Sequence, residues 1–400
     1  MKHAPRSVTV KAPGKLMIAG EYAVLTPGCP AIVATVDRYV TVTAAPCQAC
    51  DRDIELDTDL LPHPVHLRRT TTGLEAVHTQ DARHVDGKLA RLVAVVETLD
   101  ALRANLGLAP IRARLVVRSS LHEQGVKLGL GSSGAVVAGA VHALTEFAGP
   151  PLPPEARFRL AMLAGVALDA APSGADIAAA VWHGWIAYSP PDRAALRAHL
   201  RHHSIRDTLC APWSGLSIQA LPTPAHTTVQ IGWTGRPAVT TEKVNELRST
   251  SWWTSRAHHD FCRRSTGLVN VMRKALETHD SDLFRAAIGH AHDLLADLDA
   301  TTRLGIFTPH LTSLCHIAQD LGAAAKPSGA GGGDCGIALP GPATSLQELR
   351  RRWKVQGITP LQLSPALLPA AHPSPPAEVG PHLSAPTRHA LSASTERTCW

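Results

Sequence analysis

The chain has 400 residues, of which 44% are hydrophobic but only 4% aromatic, and its formal net charge is +6. That length suggests two domains, with cores built from Ala, Leu, Val and Ile. No apolar run reaches the roughly 18 residues of a membrane span, and Lys and Arg form no stripe interleaved with aromatics, which argues against membrane and nucleic-acid partners.

The N-terminus, Met1 to Arg6, carries no secretory pattern and leads directly into a strand expected at 8–11. Pro13-Gly14 then reads as a turn. Further strands are expected at 31–44 and 111–117, helices at 133–147, 154–168 and 175–181, and a returning strand at 185–188. Strands at 216–220 and 228–233 open a second region. Helical patterns follow at 255–278, 281–298 and 309–321, then a glycine run and a short apolar strand. The expected domains are 6–205 and 206–363. Residues 364–400 are rich in Pro, Ala, Ser and His without periodicity, and read as a disordered tail with no catalytic role.

The most informative segment is Lys127-Leu128-Gly129-Leu130-Gly131-Ser132-Ser133-Gly134, just before an apolar helical run. Glycines let the backbone approach an anion. A helix N-terminus directs free N–H groups and partial positive charge at it. Serine hydroxyls can bond phosphate oxygens or reach Mg²⁺. The loop fits G-x-G-x-x-G, but the preceding strand ends well before Gly129 and a Pro-rich stretch follows the helix, unlike a dinucleotide fold. The H-R-D and D-F-G signatures of protein kinases and the P-loop pattern are absent.

Two other segments share this character. Lys11-Ala12-Pro13-Gly14-Lys15-Leu16 runs on to Gly20-Glu21-Tyr22. Lys326-Pro327-Ser328-Gly329-Ala330-Gly331-Gly332-Gly333-Asp334-Cys335-Gly336 holds five glycines in the eight residues 329–336, ahead of a buried-looking strand. A fourth segment, Pro172-Ser173-Gly174-Ala175-Asp176, opens a helix with a carboxylate in its first turn, where the dipole favours an anion.

The three glycine segments resemble those of the GHMP kinase family, the small-molecule kinases of galactose, homoserine, mevalonate and phosphomevalonate. They occur in family order and at family-like spacing, over about residues 6–363. Within the family they look most like the phosphomevalonate branch, as do Gly232-Trp233-Thr234-Gly235 and Trp353-Lys354-Val355-Gln356-Gly357-Ile358. Mevalonate kinase, and more distantly the diphosphomevalonate decarboxylases, are the neighbouring alternatives. A GHMP-fold binding protein without catalysis is the alternative of another class. The resemblance implies an α+β chain: an N-terminal ribosomal-S5-like α/β domain, a C-terminal ferredoxin-like domain and a site in the cleft between them.

It also implies roles. Gly129, Gly131, Ser132, Ser133 and Gly134 would cradle ATP phosphates with Lys127, and Ser133 would hold Mg²⁺. Lys15 and Asp176 would be catalytic. Lys11, Ser173, Ser328, Gly329, Gly331 and Gly332 would meet the acceptor. Phosphoryl transfer asks mainly for positioning and charge neutralisation. A phosphate-monoester acceptor has a second pKa of about 6 and needs little deprotonation, so Asp176 reads as a partner for Lys15 or a metal more than as an obligatory base. Arg38 and Lys326 are further candidate cations. The chain departs from many mevalonate kinases in carrying Gly165 eleven residues before Asp176, where they place a metal-binding Glu. Mg²⁺ would then rest on Ser133, ATP and water, with Glu21 or Asp169 as helpers.

Eight cysteines are spread without a framework, and Cys47-Gln48-Ala49-Cys50 is a single C-x-x-C with no second half. Cys335 reads as packing beside the glycine run. These features lead us to expect a cytoplasmic enzyme with small phosphorylated substrates and no nucleic-acid or membrane partner; oligomeric state is not legible.

Overall fold

The computed structural model describes residues 7–47, 53–123, 125–149, 151–168, 173–224 and 228–364. Strands β1 (Val8–Ala19), β2 (Ala31–Ala45), β3 (Ile54–Thr58), β4 (Val65–Arg69) and β5 (Leu74–Ala76) come first. Helices α1 (Ala82–Asp86) and α2 (Ala90–Asn105) and strand β6 (Ala113–Ser119) follow, then a small hairpin of β7 (His122–Glu123) and β8 (Val126–Lys127). Next are α3 (Ser132–Ala148), α4 (Pro154–Ala167), α5 (Ala175–Trp182), β9 (Trp185–Ser189), α6 (Arg193–Leu200), α7 (Ile205–Cys210) and β10 (Ser217–Leu221).

These strands form one sheet ordered β10-β9-β2-β6-β3-β4-β5, with β1 paired to β2. Strand β2 shows why it is central. Residues 31–36 are buried at every position, as expected of a strand covered on both faces. From Val40 onward burial alternates, with Val40, Val42 and Ala44 inward. Helix α3 lies close on this sheet: a Cβ on Gly139 would sit 2.9 Å from Val42 Cγ2.

The second part holds β11 (Gln230–Trp233), α8 (Thr240–Ser249), α9 (Arg256–Glu277), α10 (Ser281–Thr302), α11 (Pro309–Asp320), β12 (Ala324–Ser328), β13 (Cys335–Leu339), α12 (Leu346–Val355) and β14 (Thr359–Leu361). Its sheet is antiparallel, ordered β12-β13-β11-β14, which is the ferredoxin-like strand order. Trp353 is fully buried against it and donates its indole N–H to Leu314 O at 3.1 Å. That packing accounts for one of the expected branch segments.

Two expectations are corrected here. Pro13-Gly14 is no turn: β1 runs through it with a register shift against β2, a bulge that accommodates the missing proline N–H. The strand expected to open the second region, β10, instead pairs with β9 on the edge of the first sheet. Strand pairing is long-range, so composition near residue 216 carries no sign of it. The tail expected from 364 lies outside the described residues except for Ser364, whose N–H donates to Asp37 Oδ1 at 3.0 Å. Among the described residues, no helix is long and apolar enough to cross a membrane.

Candidate active site

The motifs converge on one cavity of about 660 Å³. Strand β1 delivers Lys15. A Cβ on Gly14 would meet Leu121 Cδ2 at 2.6 Å and Leu130 O at 3.0 Å, so only glycine lets β1 come this close to the loop before α3. The contact is fixed by Lys15 N–H donating to Leu130 O at 2.8 Å. Gly131 caps α3 with φ 74°, and a Cβ there would lie 2.9 Å from Lys15 Cγ and 3.2 Å from Asp176 Cβ. A Cβ on Gly134 would lie 2.3 Å from Asp176 Cγ. The space left by two absent side chains is thus filled by Lys15 and Asp176.

Among the described residues no side chain caps the N-terminus of α3. Its first N–H groups are left for an anion, and the helix dipole adds positive potential there. Ser132 and Ser133 line the cavity, and among the described residues neither hydroxyl has a partner. Asp176 stands in the first turn of α5, after Gly174 at φ 86°, with Oδ1 accepting from Ile177 N–H at 3.0 Å. Ser173 lines the cavity too. Its carbonyl accepts from the buried Tyr188 hydroxyl at 2.7 Å, which holds the Ser173-Gly174 entry to α5 in place.

The glycine run after β12 divides in two. Gly329 faces the cavity, with open space where its Cβ would be. Gly331 and Gly332 do not line it. A Cβ on Gly331 would meet Ile306 O at 2.5 Å, and Gly332 N–H donates to that same oxygen at 2.9 Å. Ser328 is at the cavity wall, but its hydroxyl donates to Met17 O at 2.9 Å and accepts from Met17 N–H at 3.1 Å. Cys335 is buried and bonds Leu128 O through its thiol at 3.1 Å, the packing expected of it.

The cations separate as well. Lys127 lines the cavity. Lys11 is exposed on β1, with its ammonium 6.0 Å from the Tyr39 ring centroid. Arg38 pairs with Glu123 at 3.4 Å. Lys326 is fully buried in an ion pair with Glu21 and donates to Pro327 O at 2.8 Å. Lys326 and Glu21, considered as acceptor cation and metal helper, pair with each other, and Glu21 also lines the cavity. Gly165 lies within α4, and Asp169 is outside the described residues.

Asp334 went unassigned in the sequence. It holds a left-handed conformation at φ 55° and lines the cavity at 9% exposure. Its side chain occupies the space over Gly129, and Oδ1 accepts from Ala238 N–H at 2.9 Å. Burial pushes its carboxyl above the ordinary range, while the Ala238 bond and the charges of Lys15 and Lys127 pull it back. An acidic residue interrupting a glycine run was the available signal. The wall made by residues 237–241 and Val244 was also missed, because α8 is short and polar. Tyr22 closes the far end, its hydroxyl donating to Ala330 O at 2.5 Å.

Residues 93–184 match the family model of the GHMP kinases N terminal domain, and residues 272–358 match that of the GHMP kinases C terminal. A phosphomevalonate kinase of Streptomyces sp. (strain CL190) is 43% identical over 371 residues, spanning 92% of this chain and 99% of the relative. A mevalonate kinase of Thermococcus sibiricus is 26% identical over 361 residues, spanning 88% and 95%. The solved structure of Streptococcus pneumoniae phosphomevalonate kinase in complex with phosphomevalonate and AMPPNP has a TM-score of 0.78 at 28% identity, covering 90% of this chain and all of that one. Two domain models matched in chain order, and identity of 43% along nearly the whole of both sequences, lead to one assignment: the chain belongs to the GHMP kinase family.

Proposed function

We propose that this chain transfers the γ-phosphoryl group of ATP to 5-phosphomevalonate, giving 5-diphosphomevalonate and ADP, a step in the mevalonate route to isoprenoids. The observation that carries this reading is the 43% identity to a phosphomevalonate kinase across 92% of the chain. The cavity supplies what the reaction needs. The open end of α3 and the hydroxyls of Ser132 and Ser133 receive the nucleotide phosphates, with Lys127 beside them. Lys15 meets the charge that develops between donor and acceptor. Asp176 orients Lys15 and the acceptor across Gly131 and Gly134. The backbone at Gly329 and the Ser173 side chain face the acceptor.

The Ser133 hydroxyl and the Asp176 carboxylate are hard oxygen donors that suit Mg²⁺, which supplies neutralisation of phosphate charge when bound. In this reading the first sheet's unit binds the nucleotide, and the glycine run of the second closes over the acceptor. Lys11, Gly331 and Gly332 act outside direct contact.

The test is ADP release with Mg-ATP, comparing phosphomevalonate with mevalonate. Turnover with phosphomevalonate alone is the expected result. Turnover with mevalonate alone would keep the nucleotide site and make Asp176 a true base. Turnover with neither would refute the acceptor assignment and leave the fold without this reaction.

A further inference from the structure

A pair of thiols lies outside the cavity, between the loop that follows β1 and helix α9. Cys29 N–H donates to Thr26 O at 3.1 Å, which turns Cys29 back beneath Thr26. Thr26 Oγ1 is 3.6 Å from Cys262 Sγ and 3.1 Å from His258 Nε2. His258 Nε2 is in turn 3.3 Å from Cys262 Sγ, one turn away on α9. Cys29 packs against the apolar cluster that contains Cys262, and its thiol interacts with the Cys262 thiol and the Thr266 hydroxyl. Both cysteines are free; Cys262 is buried and Cys29 half-buried. Trp253 stacks on His258 at 4.3 Å between ring centroids and shields the group from one side.

We propose that Cys29 and Cys262 form a redox modification site that takes a hydroperoxide and closes to an intramolecular disulfide. The Cys29 thiolate attacks the peroxide and the O–O bond breaks. Cys29 becomes a sulfenic acid, and the departing alkoxide or hydroxide takes a proton from solvent. Cys262 then yields its thiol proton to His258 Nε2 and attacks Cys29 Sγ. The S–O bond breaks, and the leaving hydroxide takes that proton as water. In sum, two thiols and one hydroperoxide give a disulfide, an alcohol (water, for hydrogen peroxide) and a water.

The surroundings assign the roles. Cys29 is the reachable sulfur, and hydrogen bonds from Cys262 and then Thr266 bring its pKa down to about 7 against the effect of burial. Cys262 is held up by the Cys29 contact and by burial, so it resolves. Burial lowers the pKa of His258, which keeps the ring neutral and able to accept.

The site reaches the cavity through the chain. Tyr22, Val24 and Leu25, just before Thr26, line the cavity wall, and Tyr22 and Leu25 share an apolar cluster with Cys262. A covalent link from Cys29 to α9 fixes that wall, and turnover falls.

The experiment treats the full chain with hydrogen peroxide and maps its peptides without reduction. The parent should lose two hydrogens and yield one linked Cys29–Cys262 peptide. C262S should stop at a Cys29 sulfenate that dimedone captures, and C29S should give neither product. ADP release by the parent should fall on oxidation and return with dithiothreitol, while C29S keeps its rate through the same treatment. Absence of the linked peptide, or peroxide reacting first at Cys47 or Cys335, would overturn the site. Complete linkage with unchanged turnover would overturn its effect on the cavity. The mass readout does not depend on which acceptor the enzyme uses.

Discussion

Replacing Lys326 by methionine removes one half of the ion pair to Glu21. The two side chains are 0% and 3% exposed, so water can compensate neither. Methionine keeps most of the volume but leaves Glu21 as a buried carboxylate without its cation, and the hydrogen bond to Pro327 O is lost as well. Breaking such a pair from one side costs about 3–5 kcal/mol, or roughly 10²- to 10⁴-fold in the folding constant. Lys326→Met/Glu21→Leu replaces both charges by apolar groups and should return to within about 1 kcal/mol of the parent. Adding the second substitution should therefore recover about 2–4 kcal/mol of what the first removes. Urea unfolding followed by tryptophan fluorescence measures both variants against the parent. The reasoning fails if Lys326→Met costs less than about 1 kcal/mol, or if the double variant is no more stable than the single. The same measurement decides the role of this lysine: an acceptor-binding cation would change KM and leave the unfolding midpoint in place.

Gly134→Ala should fold normally, since alanine favours a helix, yet its Cβ would fall 2.3 Å from Asp176 Cγ. Asp176 must move, and a shift of about 1 Å at the chemistry is worth roughly 10²-fold in kcat; an unchanged kcat would disconnect Asp176 from the start of α3. Asp176→Asn should reduce turnover of phosphomevalonate less than transfer to an alcohol acceptor, and a loss near 10⁴-fold with phosphomevalonate would restore the carboxylate as an obligatory base. His142 is lowered from 6.5 to about 4 by burial, with Arg157 and His183 adding repulsion. Its neutral form is favoured in the fold, so its contribution to stability is full above about 6.5 and is lost as pH falls toward 4. An NMR titration of the His142 ring should show the low midpoint, and His142→Gln should flatten stability across that window; a midpoint near 6.5 would refute the assignment.

What the sequence disclosed follows from how each residue is held. Glycines at 129, 131 and 174 carry positive φ, and the apolar run after Ser133 starts a helix. These are local demands that leave local signs, and Lys127, Gly129, Gly131, Ser132, Ser133, Ser173 and Asp176 all reach the cavity. Helix α2 left no such sign, because Leu92 to Val96 are buried in succession and the run has no polar face to set a period. Gly14 looked like half of a turn because its partners, Leu121 and Leu130, are more than a hundred residues away. Lys326 looked like any lysine near a phosphate until Glu21, 305 residues earlier, stood beside it.

The two glycine segments that touch the α3 entry make the same distinction within the site. Gly131 makes room for Lys15 and Asp176, both of which the motifs already implicated. Gly129 makes room for Asp334, whose carboxylate also holds Ala238 and thereby the wall that leads into α8. The motif side chains of Lys15, Ser132, Ser133, Ser173 and Asp176 therefore report the wall of the cavity. What such a residue clamps is legible only once the fold has joined the segments: the acid that interrupts the third glycine run is buried over Gly129 and bonded to Ala238.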